Sequence, residues 1–305
     1  MARRVTKSFL SVFFIAALAL FSNQLMASPV LVDVEWLAKK LSDPAEAKKL
    51  RIIDMTSDDM HYVAYHIPGA VRLPYQAIVT RRKDKVSVRL PDWQLGKVLG
   101  QLGVTADQHV IIYDDIGGLH AGRLFWDLER IGHPKVSVLD GGIVNWILAG
   151  KKVVNTTTKI IPSAYQIDPA KTARSNEASL ADIEAVLKGD SKSVLLDVRT
   201  QDEFVGSPKF PRSGHIPGAR WWPWDQSVDF KQGFTLKDNK TLKQSLNGLS
   251  DNKNTPVVLY CRSGHRAAQS YLTLRNLGMQ SVKIYDASMA EYGNIKALPL
   301  LKGKK

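Results

Sequence analysis

Cys261 follows the apolar run Val257-Val258-Leu259-Tyr260 and opens the segment Cys261-Arg262-Ser263-Gly264-His265-Arg266. The run reads as a buried strand. From Arg266 to Leu277 the spacing is helical, with Ala267, Tyr271, Leu274 and Leu277 on one face. The cysteine therefore stands at a strand's carboxyl end, ahead of a helix. Gly264 lets the backbone curl so that amide hydrogens point inward, and the positive helix end adds its dipole. Arg262 and Arg266 strengthen that field, which favours thiolate over thiol and makes Cys261 a nucleophile. A lone cysteine is more often a small packed apolar residue. Two arginines, a histidine and a glycine close behind it are poor company for a core.

The elements that must hold this loop are duplicated. His66-Ile67-Pro68-Gly69-Ala70 recurs as His215-Ile216-Pro217-Gly218-Ala219, Arg51-Ile52-Ile53-Asp54 is answered by Val194-Leu195-Leu196-Asp197, and Val110-Ile111-Ile112-Tyr113 by Val257-Val258-Leu259-Tyr260. The order is kept and the separation is nearly constant. It is too long for a solenoid repeat and suits two copies of one α/β domain. Strands are expected near 51–54, 110–113 and 136–139, then near 194–197, 257–260 and 282–285. Helices are expected near 33–41, 92–101, 121–131, 142–149, 179–188 and 266–277. Strands alternating with amphipathic helices imply a central, mostly parallel sheet flanked by helices in each copy. The expected boundaries are 28–152 and 177–305, joined by a linker at 153–176 rich in Lys, Thr, Ser and Pro. Opposite Cys261 the first copy carries Asp114, which cannot become a soft nucleophile, so that copy is expected to be catalytically silent. Leu119 and His120 either wall a cleft facing Cys261 or are ordinary loop residues.

Residues 1–27 have the plan of a secretory signal peptide: Arg3, Arg4 and Lys7, an apolar segment from Phe9 to Phe21, then Met26-Ala27 before Ser28-Pro29. That segment is shorter than the roughly 20 residues a helix needs to cross a bilayer. A periplasmic or secreted protein is expected, without stable membrane association once the leader is cleaved; a retained anchor is the alternative. The net charge of +13 favours anionic partners. Export and the lack of basic runs interleaved with aromatics argue against nucleic acid. One cysteine excludes an internal disulfide framework and a two-cysteine redox motif. The seven histidines are scattered, with no ligand-spaced set near Cys261, so neither metal nor cofactor is expected.

The chain resembles the rhodanese family, the thiosulfate sulfurtransferases, in the tandem form with an inactive first and an active second domain. The resemblance rests on Asp197-Val198-Arg199, Ser213 to Ala219, Cys261-Arg262-Ser263-Gly264 and Tyr285 to Tyr292, with Val138-Leu139-Asp140-Gly141-Gly142 and Trp146 in the first copy. It implies that Cys261 takes the outer sulfur of thiosulfate as a persulfide and passes it to cyanide or a thiol, a protein acceptor included. Main-chain amides of Arg262, Ser263, Gly264, His265 and Arg266 would hold the negative sulfur, while Arg262 and Arg266 meet the anionic donor. Arg266 could instead be tied to a neighbouring carboxylate. His265 either tunes the field by protonating near a pH of about 6.5 or is an exposed bystander. Asp197 is read as a support of the loop. Arg212 and Lys209 either reach the cleft as anion contacts or face solvent. Glu203 occupies a stretch where some relatives carry a donor-binding arginine, which puts that contact in doubt.

Trp221, Trp222 and Trp224 read as core or domain-interface residues, and His215 as part of a tight turn. A cysteine phosphatase loop places its arginine six positions after the cysteine; here Arg266 comes five after and Ala267 six. A mercaptopyruvate sulfurtransferase typically has a small residue where Arg262 stands. A non-turnover carrier of sulfane sulfur for a protein partner is the remaining alternative.

Overall fold

The computed structural model describes residues 28–170, 172, 176–208 and 212–303. The leader, Lys209 and the last two lysines lie outside these. Strands in chain order are β1 (Leu31–Val32), β2 (Leu50–Asp54), β3 (Ala70–Arg72), β4 (Val79–Arg81), β5 (Ser87–Arg89), β6 (His109–Tyr113) and β7 (Val136–Leu139). The second half adds β8 (Glu177–Ala178), β9 (Val194–Asp197), β10 (Arg220–Trp221), β11 (Val228–Asp229), β12 (Thr235–Leu236), β13 (Val257–Tyr260) and β14 (Val282–Tyr285).

Two five-stranded sheets result, ordered β1-β7-β6-β2-β3 and β8-β14-β13-β9-β10, and every pairing within them is parallel. The two orders are the same order. Apolar β-branched runs suit such strands because helices cover both faces. Val110, Ile111 and Ile112 on β6, and Val257, Val258 and Leu259 on β13, are accordingly buried. Both strands are the middle members of their sheets. Asp114 and Cys261 follow directly from their carboxyl ends.

The expected long helices are present, as Val34–Ser42, Asp92–Gln101, Ala121–Arg130, Gly142–Leu148, Leu180–Lys188 and His265–Asn276. Ala267, Tyr271, Leu274 and Leu277 are all buried, as their spacing requires. The short strands β1, β3, β8 and β10 and the hairpins β4–β5 and β11–β12 were not expected. At two or three residues they carry too little periodicity to be read. The stretch 153–170 is no free connector. Ser163 donates its N–H to Gly100 O at 2.8 Å, and a Cβ on Gly100 would meet Ser163 O at 2.6 Å, so this strap lies on the helix Asp92–Gln101.

The helices that follow Asp114 and Cys261 pack against each other, joining the two domains in one apolar core. Gly122 makes the close approach possible, since a Cβ there would meet Ala268 O at 2.9 Å and Gln269 Cα at 3.1 Å. Leu124, Phe125 and Leu128 share that core with Ala268, Tyr271 and Leu272. No helix among the described residues is long and apolar enough to cross a membrane.

Candidate active site

Cys261 is 1% exposed. Its loop turns within four residues, because Gly264 adopts φ +75° and the helix starts at His265. A side chain at Gly264 would collide with Asp286 Oδ1, and with Arg123 Nη1 of the first domain at 2.8 Å. Ser288, at φ +50° and fully buried, lies beneath the loop: its Oγ accepts from the N–H of Cys261 at 3.0 Å and of Gly264 at 3.3 Å. The carbonyls of Cys261 and Arg262 accept from the N–H of Met289 and Ala290. The N–H groups of Arg262, Ser263, His265 and Arg266 have no acceptor among the described residues. A helix end with unmatched N–H groups is an anion site in the making.

The first domain shows what such a loop holds. Asp114 occupies the place of Cys261, and its buried carboxylate accepts from the N–H of Ile116 at 3.1 Å, Gly118 at 2.9 Å, His120 at 2.8 Å and Ala121 at 3.0 Å. Here the sequence supplies its own anion. In the second domain the equivalent position is a sulfur.

The rhodanese-like domain matches this chain twice, over residues 33–149 and 179–294. The chain belongs to the rhodanese family. The sulfur carrier protein TtuD of Thermus thermophilus is 29% identical over 90% of this chain and 98% of its own length. The thiosulfate sulfurtransferase of Corynebacterium glutamicum is 29% identical over 90% of this chain and 91% of its own. In fold it is similar to the crystal structure of an anaerobic ergothioneine biosynthesis enzyme from Chlorobium limicola (TM-score 0.79, 20% identity, 90% of this chain and 71% of that one).

In this chain, the residues expected around Cys261 fall into different places. Arg262 is exposed and makes no ion pair among the described residues, so it remains a free cation at the loop. Arg266 is engaged elsewhere. Its Nη1 and Nη2 meet Glu203 Oε2 and Oε1 at 2.6 and 2.9 Å. Burial works against the Glu203 carboxylate, yet the Arg266 guanidinium overrides it and holds the group down to about 2. This corrects the expectation that Arg266 meets the donor: its fork is filled by a carboxylate, a geometry the planar guanidinium suits. Ser263 is half-buried, with its hydroxyl uncommitted among the described residues.

His265 is neither an exposed bystander nor a group titrating near neutrality. Its ring stacks on Tyr75 of the first domain (centroids 4.0 Å, 29°) and on His120 (5.1 Å, 8°). Burial, then the charges of His120, Arg123 and Arg266, push its pKa down to about 3. The imidazole is neutral at ordinary pH. His120 closes on the ring of His265, and its Nδ1 lies 2.9 Å from Met55 O.

Asp197, at the end of β9, has its carboxylate taken up by Arg199. It binds Arg199 through Nε at 2.9 Å and Nη2 at 2.5 Å, and Arg199 Nη2 reaches Gly214 O at 2.8 Å. No bond from Asp197 to the loop itself is formed among the described residues, because Arg199 fills its carboxylate. Arg212 is not an anion contact. It donates to the carbonyls of Gly293, Ile295, Lys296 and Leu298, clamping the segment that follows the last helix. His215 is structural, stacked on Phe204 at 3.8 Å with Nδ1 at 2.9 Å from Phe204 O. Trp222 is buried and Trp221 is at 36% exposure, so the tryptophan cluster divides between core and surface.

Sequence reasoning missed the groups that brace the loop from outside it. Arg123, fully buried in the interdomain helix, contacts Asp286 Oδ1 at 2.5 Å and Oδ2 at 3.1 Å; the Arg89 N–H adds a third bond to Asp286 at 2.6 Å. A buried Arg within the helical pattern and an Asp just past β14 were the available signals, and neither points to the other in one dimension. No group of three or more His, Cys, Asp or Glu suited to a metal occurs among the described residues. Three clefts of about 860, 650 and 500 Å³ are formed elsewhere, none lined by Cys261. Cys261 itself is packed within the apolar core that the two domains share.

Proposed function

We propose that this protein is an exported sulfurtransferase that takes sulfane sulfur from thiosulfate, or a related inorganic donor, onto Cys261 and passes it to cyanide or a thiol. The thiolate forms a bond to the outer sulfur, the bond to the sulfonate breaks, and its electron pair leaves with sulfite. An acceptor then attacks the outer sulfur and returns the pair to Cys261. No proton transfer is required. The observation that carries this reading is the contrast of the two loops: the first wraps main-chain N–H groups around the carboxylate of Asp114, while the second presents unmatched N–H groups beside a lone sulfur. The names of the curated relatives agree with sulfur transfer or carriage. Intact-mass measurement after thiosulfate treatment tests it: a gain of one sulfur atom, reversed by cyanide and absent in Cys261→Ser, is expected, and an unchanged mass overturns it.

A second reading, delivery of the sulfur to a protein partner, draws support from the 1% exposure of Cys261. A carrier would load once and turn over slowly with cyanide. Steady-state assay separates the two.

A further inference from the structure

We infer that the tip of the hairpin β4–β5, together with Arg262, is a docking surface for an acidic protein. The inference goes beyond sulfur transfer and does not depend on it. The tip runs Arg81-Arg82-Lys83-Asp84-Lys85, and every one of these residues is exposed. Asp84 is neutralised inside the tip, where its carboxylate meets Arg82 Nη2 at 2.6 Å and Nε at 3.3 Å. Arg81, Lys83 and Lys85 make no ion pair among the described residues and remain free cations.

The fold does not ask for these charges. The second domain carries the corresponding hairpin, β11–β12, anchored in the same way: Leu236 N–H binds Asp140 Oδ1 at 2.8 Å just past β7, as Arg89 N–H binds Asp286 Oδ2 at 2.6 Å just past β14. Its tip reads Phe230-Lys231-Gln232-Gly233-Phe234. The basic cluster stands only on the hairpin that reaches the domain with the cysteine.

That hairpin is held firmly. Arg82 Nη2 also meets Glu291 Oε1 at 2.6 Å, Val86 is buried in one apolar cluster with Tyr285 and Ala287, and Arg89 forks onto Glu177 at 2.9 and 3.0 Å. Glu291 lies on the helix Ser288–Tyr292, whose Ala290 N–H binds Arg262 O at 2.9 Å. This short helix links the tip to Arg262 through two polar contacts. The free cations are thus carried on one frame, which lowers the ordering cost when a partner arrives.

The shape of the surface selects the partner. None of the three clefts is lined by Arg81, Lys83 or Lys85. A small anion needs groups that converge in a concave site, whereas carboxylates spread over a protein surface match an exposed tip. Val86, the apolar residue that follows, is buried, so the tip offers nothing to enter a lipid acyl layer. It also holds no aromatic ring on which a base could stack.

Anisotropy of labelled poly-L-glutamate on the full chain, at low ionic strength, tests this. Arg81→Glu/Lys83→Glu/Lys85→Glu should weaken binding about tenfold or more, and amide exchange slowed by the probe should map to the hairpin and the Arg262 loop. Lys135→Glu/Lys192→Glu/Lys253→Glu makes the same change in net charge at exposed lysines before the amino ends of β7, β9 and β13, whereas Cys261 follows a carboxyl end. Binding should there stay within about twofold of wild type. The hairpin variant should keep the wild-type Tm and the wild-type turnover of thiosulfate with cyanide. Should it fold poorly, Arg81→Gln/Lys83→Gln/Lys85→Gln removes the charge alone and should weaken binding by a smaller factor. Equal weakening in the two charge-reversal variants overturns the inference, because net charge then attracts the probe. Absence of binding in the wild type also overturns it, as does hairpin-dependent binding of phosphatidylglycerol vesicles or single-stranded DNA tighter than that of polyglutamate. A wild-type protein that binds polyglutamate through the hairpin yet never gains sulfur sinks the proposed function alone.

Discussion

The hydroxyl oxygen of Ser288 accepts the main-chain N–H of Cys261 at 3.0 Å, while its own hydrogen goes to Tyr285 O at 2.7 Å. Since Gly264 N–H binds the same oxygen at 3.3 Å, one buried side chain fixes both ends of the nucleophile's loop. Ser288→Ala leaves two buried N–H groups without an acceptor, at about 1–3 kcal/mol each. A lowered Tm is expected, with turnover at a permissive temperature falling further than the unfolded fraction explains. Ser288→Gly relaxes the positive φ yet should not restore turnover. Activity equal to wild type in Ser288→Ala would remove the loop-fixing role.

The two loop arginines should separate kinetically. Arg262 is exposed and has no ion-pair partner among the described residues; if it meets the incoming anion as proposed, Arg262→Ala should raise KM for thiosulfate several-fold, change kcat little and weaken the salt dependence. Arg266→Ala strands Glu203 and should chiefly lower the Tm. Initial rates at two ionic strengths, with thermal melts, check both statements.

Arg123 and Asp286 form a buried ion pair across the domain boundary, pressed against Gly264. Removing one partner leaves a buried charge uncompensated, which costs about 3–5 kcal/mol. Arg123→Met and Asp286→Leu should each destabilise strongly, and the double variant less than the sum of the two. A denaturant-melt cycle that proves additive would mean that the two residues do not act as a pair.

His265 links stability to pH. Its folded pKa of about 3 lies below the unfolded value of 6.5, so between these the unfolded chain binds a proton that the folded chain refuses. Its contribution is fully present above pH 6.5 and is lost as the pH falls toward 3. Nε2 is buried without a partner, so His265→Phe can keep the stack while removing the titration. Urea midpoints taken at neutral and acidic pH should fall less steeply in the variant. An unchanged slope would place the acid sensitivity in other groups.

Gly264→Ala combines positive φ with a collision at Asp286. It should abolish sulfur loading. The Tm change should be smaller than in Arg123→Met, because the loop can yield where the ion pair cannot.

Much of the architecture was readable because it is written in periods. The buried runs on β2, β6, β9 and β13 and the helical face from Ala267 to Leu277 repeat hydrophobicity at spacings that burial enforces. The duplication followed from matched motifs such as His66 to Ala70 and His215 to Ala219, each of which bridges to a later stretch of the chain, at Val154 and Leu301. Cys261 and its loop were readable because a strand, four turn residues and a helix lie in one continuous stretch.

The sequence by itself determined the strand-to-helix turn and the lone sulfur that it bears, since these depend on neighbours along the chain. Tertiary structure alone decided which charges surround that atom. Glu203 took Arg266, Asp286 took Arg123, Arg199 took Asp197, and Tyr75 with His120 closed over His265. The reason is physical. A guanidinium or a ring can satisfy itself with any matching group within a few ångströms, and which group arrives there is settled by packing two domains on one shared core.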